Sequence, residues 1–230
     1  MADTYTLTFV NHSTNQGDVC LYQADPGLGV PGAVSTAWMV KPSFPGTETV
    51  FHWQTQYEFV WGEPGNLKPG ATFVAMNRHG AEVGSSNLIA FDKRDGSYGF
   101  FDQGPGPDAS RLVVQVRGGV SPGQVAVGIG MSGMAIYAVQ AMPNMTYTFS
   151  PHPTYWIAFG GFAPGEVLDT QKIHLPAQVS FPAGIFAMTA ELTPDNSWTV
   201  HPTAAASPAP PATPAAPTPP APPATPEQPK

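Results

Sequence analysis

Glycine and proline interrupt this chain so often that no long helix fits between them: 28 Pro and 24 Gly stand among 230 residues. Proline fixes φ and lacks an N–H, while glycine supplies the left-handed conformations of tight turns, so both break helices and punctuate hairpins. Between "DPG", "PGT", "EPGNLKPG", "KRDGS", "GPGPD", "RGGVSPG", "APGE" and "TPDNS" lie short runs such as "YTLTFV", "DVCLYQ", "RLVVQV" and "YWIAF". Many alternate. In "YEFVW", Tyr57, Phe59 and Trp61 share one face and Glu58 and Val60 the other, as in a strand with one side packed inward. Strands recurring about every 8 to 15 residues predict an all-β protein, an antiparallel two-sheet β-sandwich. Helix is expected at most as one short turn in "VSTAWMV" (34–40).

The contents of the runs suffice for a core, with 42% hydrophobic and 11% aromatic residues. A net charge of -7 leaves no basic footprint for nucleic acid or an anionic membrane surface. Lys93-Arg94 sits between Asp92 and Asp95 and reads as a solvated turn. Cys20 is the only cysteine, so an intrachain disulfide is impossible and a buried, inert thiol is expected. "MADTYTLTFV" lacks the basic start and apolar core of a signal peptide, and no run of about 20 apolar residues occurs. A cytoplasmic protein is expected, with non-classical export left open.

From residue 202 the chain turns to Pro, Ala and Thr, which cannot form a core. The expectation is one β domain over 3–201 and a disordered Pro/Ala-rich tail over 202–230, extended at about 3.1 Å per residue. Its PxxP spacings, Pro211 to Pro214 and Pro214 to Pro217, match the minimal pattern for aromatic-lined grooves. No Arg or Lys flanks them, so a spacer is preferred to a docking segment. Within the body, "QYEFVWGEPG" (56–65) is echoed by "TYWIAFGGFAPG" (154–165), "VCLYQADPG" (19–27) by "IYAVQAMPN" (136–144), and "LIAFDKRDGSYGF" (88–100) loosely by "QVSFPAGIFAM" (178–188). These echoes suggest a duplication with halves of about 5–118 and 122–201; the alternative is shared turn grammar.

The wording of "NHSTNQGDVCLYQADP", "STAWMVKPSFPGT", "GIGMSGMAIYAVQAMPN", "FSPHPTYWIAFG", "GEVLD" and "AELTPDNSWTV" resembles the RhiA-type, rhizosphere-expressed proteins of rhizobia and related bacteria, from about residue 5 to 200. The resemblance implies a soluble bacterial protein, made under quorum-sensing control near plant roots and contributing to plant-microbe interaction. It implies no biochemical activity and carries over no site residues.

The residues themselves offer little chemistry. The six histidines, His12, His52, His79, His152, His174 and His201, show no i, i+4 or i, i+2 pair that aims two imidazoles at one metal, and no metal or cofactor is expected. His152, held between prolines in "SPHPTYW", is a binding candidate whose plainer reading is a turn residue. Ser132 in "GMSGM" lacks the strand-turn-helix setting of a nucleophile elbow, and "GIGMSG" lacks the lysine of a phosphate loop; a hairpin turn is expected there. Glu63, Glu166 and Asp169 are the carboxylates nearest the echoed loops, and solvation is their plainer reading. The aromatics remain. If Tyr155, Ile157 and Phe159 face inward, Trp156 faces outward, and Trp156 and Trp38 are the candidates for a binding surface. The preferred reading is a non-enzymatic binding or interaction protein whose ligand is a plant-derived small molecule or a saccharide. The alternatives are a structural, self-associating protein, and an enzyme of unrecognised type, recognisable by a deep pocket with a perturbed titratable group.

Overall fold

The computed structural model describes residues 3–24, 29–151 and 154–204. Seventeen strands cover it: β1 (Thr4–Asn11), β2 (Gly17–Gln23), β3 (Val34–Ser35), β4 (Met39–Ser43), β5 (Glu48–Gln54), β6 (Tyr57–Gly62), β7 (Asn77–Ala81), β8 (Leu88–Arg94), β9 (Ser97–Gly104), β10 (Leu112–Val116), β11 (Ala126–Met131), β12 (Met134–Gln140), β13 (Thr146–Phe149), β14 (Tyr155–Gly160), β15 (Ala177–Val179), β16 (Ala187–Leu192) and β17 (Trp198–Pro202). Among the described residues there is no helix, and residues 34–40 enter β3 and β4. The protein is all-β, as expected.

The expected two sheets are four: sheet I (β17-β16-β1-β5), sheet II (β15-β14-β2-β4), sheet III (β3-β12-β11-β6-β7) and sheet IV (β13-β10-β8-β9). Nor are they wholly antiparallel, since β1 runs parallel to β16 and β8 to β10. Rings show which sheets face each other. Phe9 meets Phe159, and Trp53 meets Tyr155, across sheets I and II; Trp61 meets Phe91, and Phe59 meets Phe100, across sheets III and IV. The first pair forms a terminal lobe from strands at both ends of the chain, the second a central lobe from β3 and β6–β13. One continuous apolar cluster runs through both, from Leu7, Phe9 and Trp53 to Phe91, Val114 and Ile129.

The two lobes repeat one pairing scheme. β1 is antiparallel to β5 and parallel to β16, with β17 beyond; β10 is antiparallel to β13 and parallel to β8, with β9 beyond. Likewise β2 lies between β4 and β14, with β15 outermost, as β11 lies between β12 and β6, with β7 outermost. Every strand of β1–β9 except β3 thus has a counterpart in β10–β17, in chain order. Register agrees: Tyr57 faces Met131 and Ala81 where Tyr155 faces Gln23 and Val179. The "QYEFVWG" echo therefore joins equivalent strands. The other two do not, because β2 corresponds to β11, β12 to β4, and the β8–β9 hairpin to β16–β17.

Candidate functional site

Between β3 and β4 the chain crosses from sheet III to sheet II, and the crossing builds a cleft. Thr36 is fixed first: its N–H donates to Ile136 O (3.1 Å) and its hydroxyl to Ala135 O (2.7 Å). Residues 165–168 then line up beside it, with Leu168 N donating to Ser35 O (2.9 Å), Ala37 N to Glu166 O (2.8 Å) and Gly165 N to Ala37 O (2.9 Å). Residues 70–73 pair on the far side, through Val167 N to Ala71 O (2.7 Å) and Phe73 N to Gly165 O (2.8 Å). This ribbon covers the outer face of sheet III, where Val60, Ala126, Ala138, Phe73 and Val167 pack together, and satisfies backbone that burial would otherwise leave unpaired.

At the end of the ribbon lies a cleft of about 610 Å³, floored by Tyr137 and walled by Val30, Ala33, Ser35, Leu168 and Asp169. Tyr137 and Ser35 are both buried. The Asp169 carboxylate is matched by Lys172 Nζ at 2.8 Å, and the hydrogen bond to that ammonium holds its carboxyl below the usual range while raising Lys172. The cleft combines a neutralised carboxylate, hydroxyls and an apolar wall, which suits an uncharged amphipathic molecule.

The residues singled out from sequence fall elsewhere. Trp38 offers no surface: it is fully buried, stacks near Tyr155 (6.1 Å between centroids) and donates from Nε1 to Met131 O (2.9 Å), bridging the lobes. That corrects the expectation of a binding surface at Trp38. Trp156 does lie opposite the inward Tyr155 and Ile157, yet it is partly covered by a cluster with Tyr22, Phe162 and Ile173. Its Nε1 is shut off from solvent and reaches no acceptor among the described residues. His152, and the prolines Pro211, Pro214 and Pro217, lie outside the described residues.

Ser132 occupies the β11–β12 hairpin turn with φ 53°, where its hydroxyl bonds the backbone of Gln54. Glu166 is used locally, accepting from Ala163 N (2.9 Å). Burial pushes the Cys20 thiol well up, so it stays protonated and unreactive at neutral pH. No group of three His, Cys, Asp or Glu side chains among the described residues is arranged to hold a metal. Tyr137, Ser35 and Leu168 were not legible as a site, because the ribbon that joins them is made by backbone pairing between distant segments.

Against known proteins, the RhiA family profile matches residues 2–203. Protein RhiA of Rhizobium leguminosarum bv. viciae is 34% identical over 201 residues, covering 86% of each chain. This chain belongs to the RhiA family. No solved structure matches it.

Proposed function

We propose that this RhiA-family protein is a non-enzymatic binding protein of bacteria living around plant roots, and that the cleft over Tyr137 takes an uncharged, plant-derived small molecule or a saccharide. The observation that carries the reading is the Asp169–Lys172 pair beside an apolar wall: the cleft presents hydrogen-bonding groups without a net charge to neutralise. The scaffold is read as two related halves that exchange strands between two sandwich-like lobes, working in the cytoplasm without nucleic acid, membrane or cofactor as partner, its tail a spacer. A self-associating role is the second reading, favoured by Val74 and Met76, 62% and 60% exposed, which lead into β7, the free edge of sheet III.

A thermal-shift screen of the full chain against flavonoids, acyl-homoserine lactones and cell-wall saccharides tests this. Ligand at about 100 times its Kd adds about 2.7 kcal/mol, or about 5–10 °C for a chain this size. The shift should vanish in Ala33→Trp, which fills the cleft. Silence across the panel together with concentration-dependent large species in sedimentation would favour self-association instead.

A further inference from the structure

We infer that one end of the terminal lobe carries a second binding site, separate from the cleft, for a neutral saccharide. Two turns from opposite ends of the chain build it. The β1–β2 turn brings Asn15 and Gln16, the β16–β17 turn brings Asp195 and Asn196, and Asn15 Nδ2 donates to Asn196 Oδ1 (3.2 Å), tying the turns together. In the counterpart hairpin of the central lobe only residues 95 and 96 separate Arg94 from its partner Ser97; here residues 193–197 separate Leu192 from Trp198. The longer turn frames a cavity of about 570 Å³ with Asn15, Gln16, His174, Asp195 and Asn196 on its polar side. Its other side is apolar. Trp198 is fixed by donating from Nε1 to Leu175 O (2.8 Å) and by packing on Phe9 at 5.6 Å, yet stays partly exposed, as does Phe159 beside it. Leu175 is 54% exposed and held at φ 46°, a left-handed backbone that bulky L residues rarely adopt and that gathers at functional sites.

The lining selects the ligand. No Lys or Arg is present to draw an anion. Hydrogen bonds from the Thr193 hydroxyl, then from its own N–H and the Ser197 hydroxyl, hold the Asp195 carboxyl below its usual range, so it stays ionised at neutral pH and turns anions away. A metal ion finds no set of three His, Cys, Asp or Glu side chains among the described residues. What remains open is neutral and two-handed: the Gln16 carboxamide and the His174 ring make no hydrogen bond among the described residues, and Asn196 keeps both amide donors. Such groups donate and accept at once, as sugar hydroxyls do. The rings of Trp198 and Phe159, with Leu175, meet the C–H face of a pyranose, which makes the patch and its polar rim complementary to one amphipathic molecule.

NMR titration of the full chain with the methyl β-glycosides of glucose, galactose, mannose and xylose tests the assignment. At least one is expected to shift the Trp198 Nε1–H and the Gln16 and Asn196 side-chain amides saturably. Gln16→Ala, which removes an exposed group without a structural partner, should weaken that binding by about threefold to tenfold with Tm unchanged. Leu175→Gly frees the left-handed backbone of its side chain, so it should weaken binding while Tm does not fall, an outcome that damage to the fold could not produce. The Ala33→Trp variant should bind the glycoside normally, whatever becomes of the cleft. No saturable shift with any of the four, tighter binding of methyl β-glucuronide or glucosamine than of the glucoside, binding indifferent to both Gln16→Ala and Leu175→Gly, or binding lost in Ala33→Trp overturns the assignment.

Discussion

The central lobe holds the chain from Tyr57 to Phe149 without interruption, whereas the terminal lobe is completed only when β14–β17 return to β1, β2, β4 and β5. One strand scheme therefore serves two different folding problems. In the central lobe the parallel pair β8 and β10 joins neighbouring parts of the chain; in the terminal lobe the parallel pair β1 and β16 joins its two ends. Closing the longer loop costs more chain entropy before any contact rewards it. The interiors differ accordingly. The terminal lobe relies on a knot of large rings, Tyr5 on Trp53 at 5.8 Å, Trp53 on Tyr155 at 5.1 Å and Phe181 edge-on to Trp53 at 5.6 Å. The central lobe sets Phe91 against Trp61, Tyr98 and Phe100 and fills the remainder with Val114, Val127, Ile129 and Val139.

The largest effect should come from removing the returning strands. A chain ending at Pro151 keeps every strand of the central lobe but deprives β1 of β16 and β2 of β14. Amide exchange is expected to leave β6 and β10–β13 protected while β1, β2, β4 and β5 exchange at unfolded rates. Collapse of protection throughout would break the comparison, showing that the apolar cluster crossing both lobes makes them one cooperative unit.

A single methyl group should separate the lobes next. Gly128 on β11 and Cys20 on β2 hold equivalent places, opposite Val60 and Ala158. A Cβ on Gly128 would lie 1.9 Å from the Tyr137 carbonyl oxygen, because β11 and β12 shift register at Ile129/Gly130 and approach closely there. Gly128→Ala should therefore cost about 3 kcal/mol. Cys20→Ala in the terminal lobe only trims a buried side chain and should cost about 1 kcal/mol. Urea unfolding of the two variants measures the difference directly. Equal losses would mean that the close approach of β11 to β12 does not set the lobes apart at this register.

What could be read in the sequence follows from this contrast between pattern and pairing. The alternation of "YEFVW" and "YWIAF" was legible because each strand buries one face, and Tyr57, Phe59, Tyr155 and Ile157 are inward as the pattern says. β7, "NRHGA", was not, because an exposed edge strand needs no apolar face. β4 contains Pro42, which an edge strand tolerates, and β3 is two residues long. β5 does alternate, burying Thr49, Phe51 and Trp53. Four sheets in place of two could not be foreseen, since the choice of partner for β1, β16 on one side and β5 on the other, is made over most of the chain length. For the same reason the cleft was not visible, since it depends on three backbone segments meeting.

The smallest effect is electrostatic and distinguishes the β16–β17 hairpin from its counterpart β8–β9. In the terminal lobe, Glu191 on β16 is flanked by His201 Nε2 at 3.2 Å and His12 Nε2 at 3.5 Å. The hydrogen bond of His201 Nδ1 to its neighbour Pro202 O (3.0 Å), and then its bond to Glu191, both favour the doubly protonated ring, so its pKa is raised above 6.5. In the central lobe the corresponding tie is Arg94 to Asp102 at 3.0 Å, and a guanidinium does not titrate near neutrality. A group whose pKa is raised by folding stabilises the fold fully below its unfolded value, and that contribution is lost as pH rises through the folded value. The window here opens at about pH 6.5, and the effect is small because the pair is open to solvent. Titration by NMR should place His201 above 6.5, Glu191→Gln should lower it, and the stability gap between the parent chain and Glu191→Gln should narrow as pH rises through the window. Arg94→Gln should show no such narrowing over the same range. A His201 that titrates at or below 6.5, or a gap that widens with pH, would remove the titratable tie from the terminal lobe and leave the two hairpins alike.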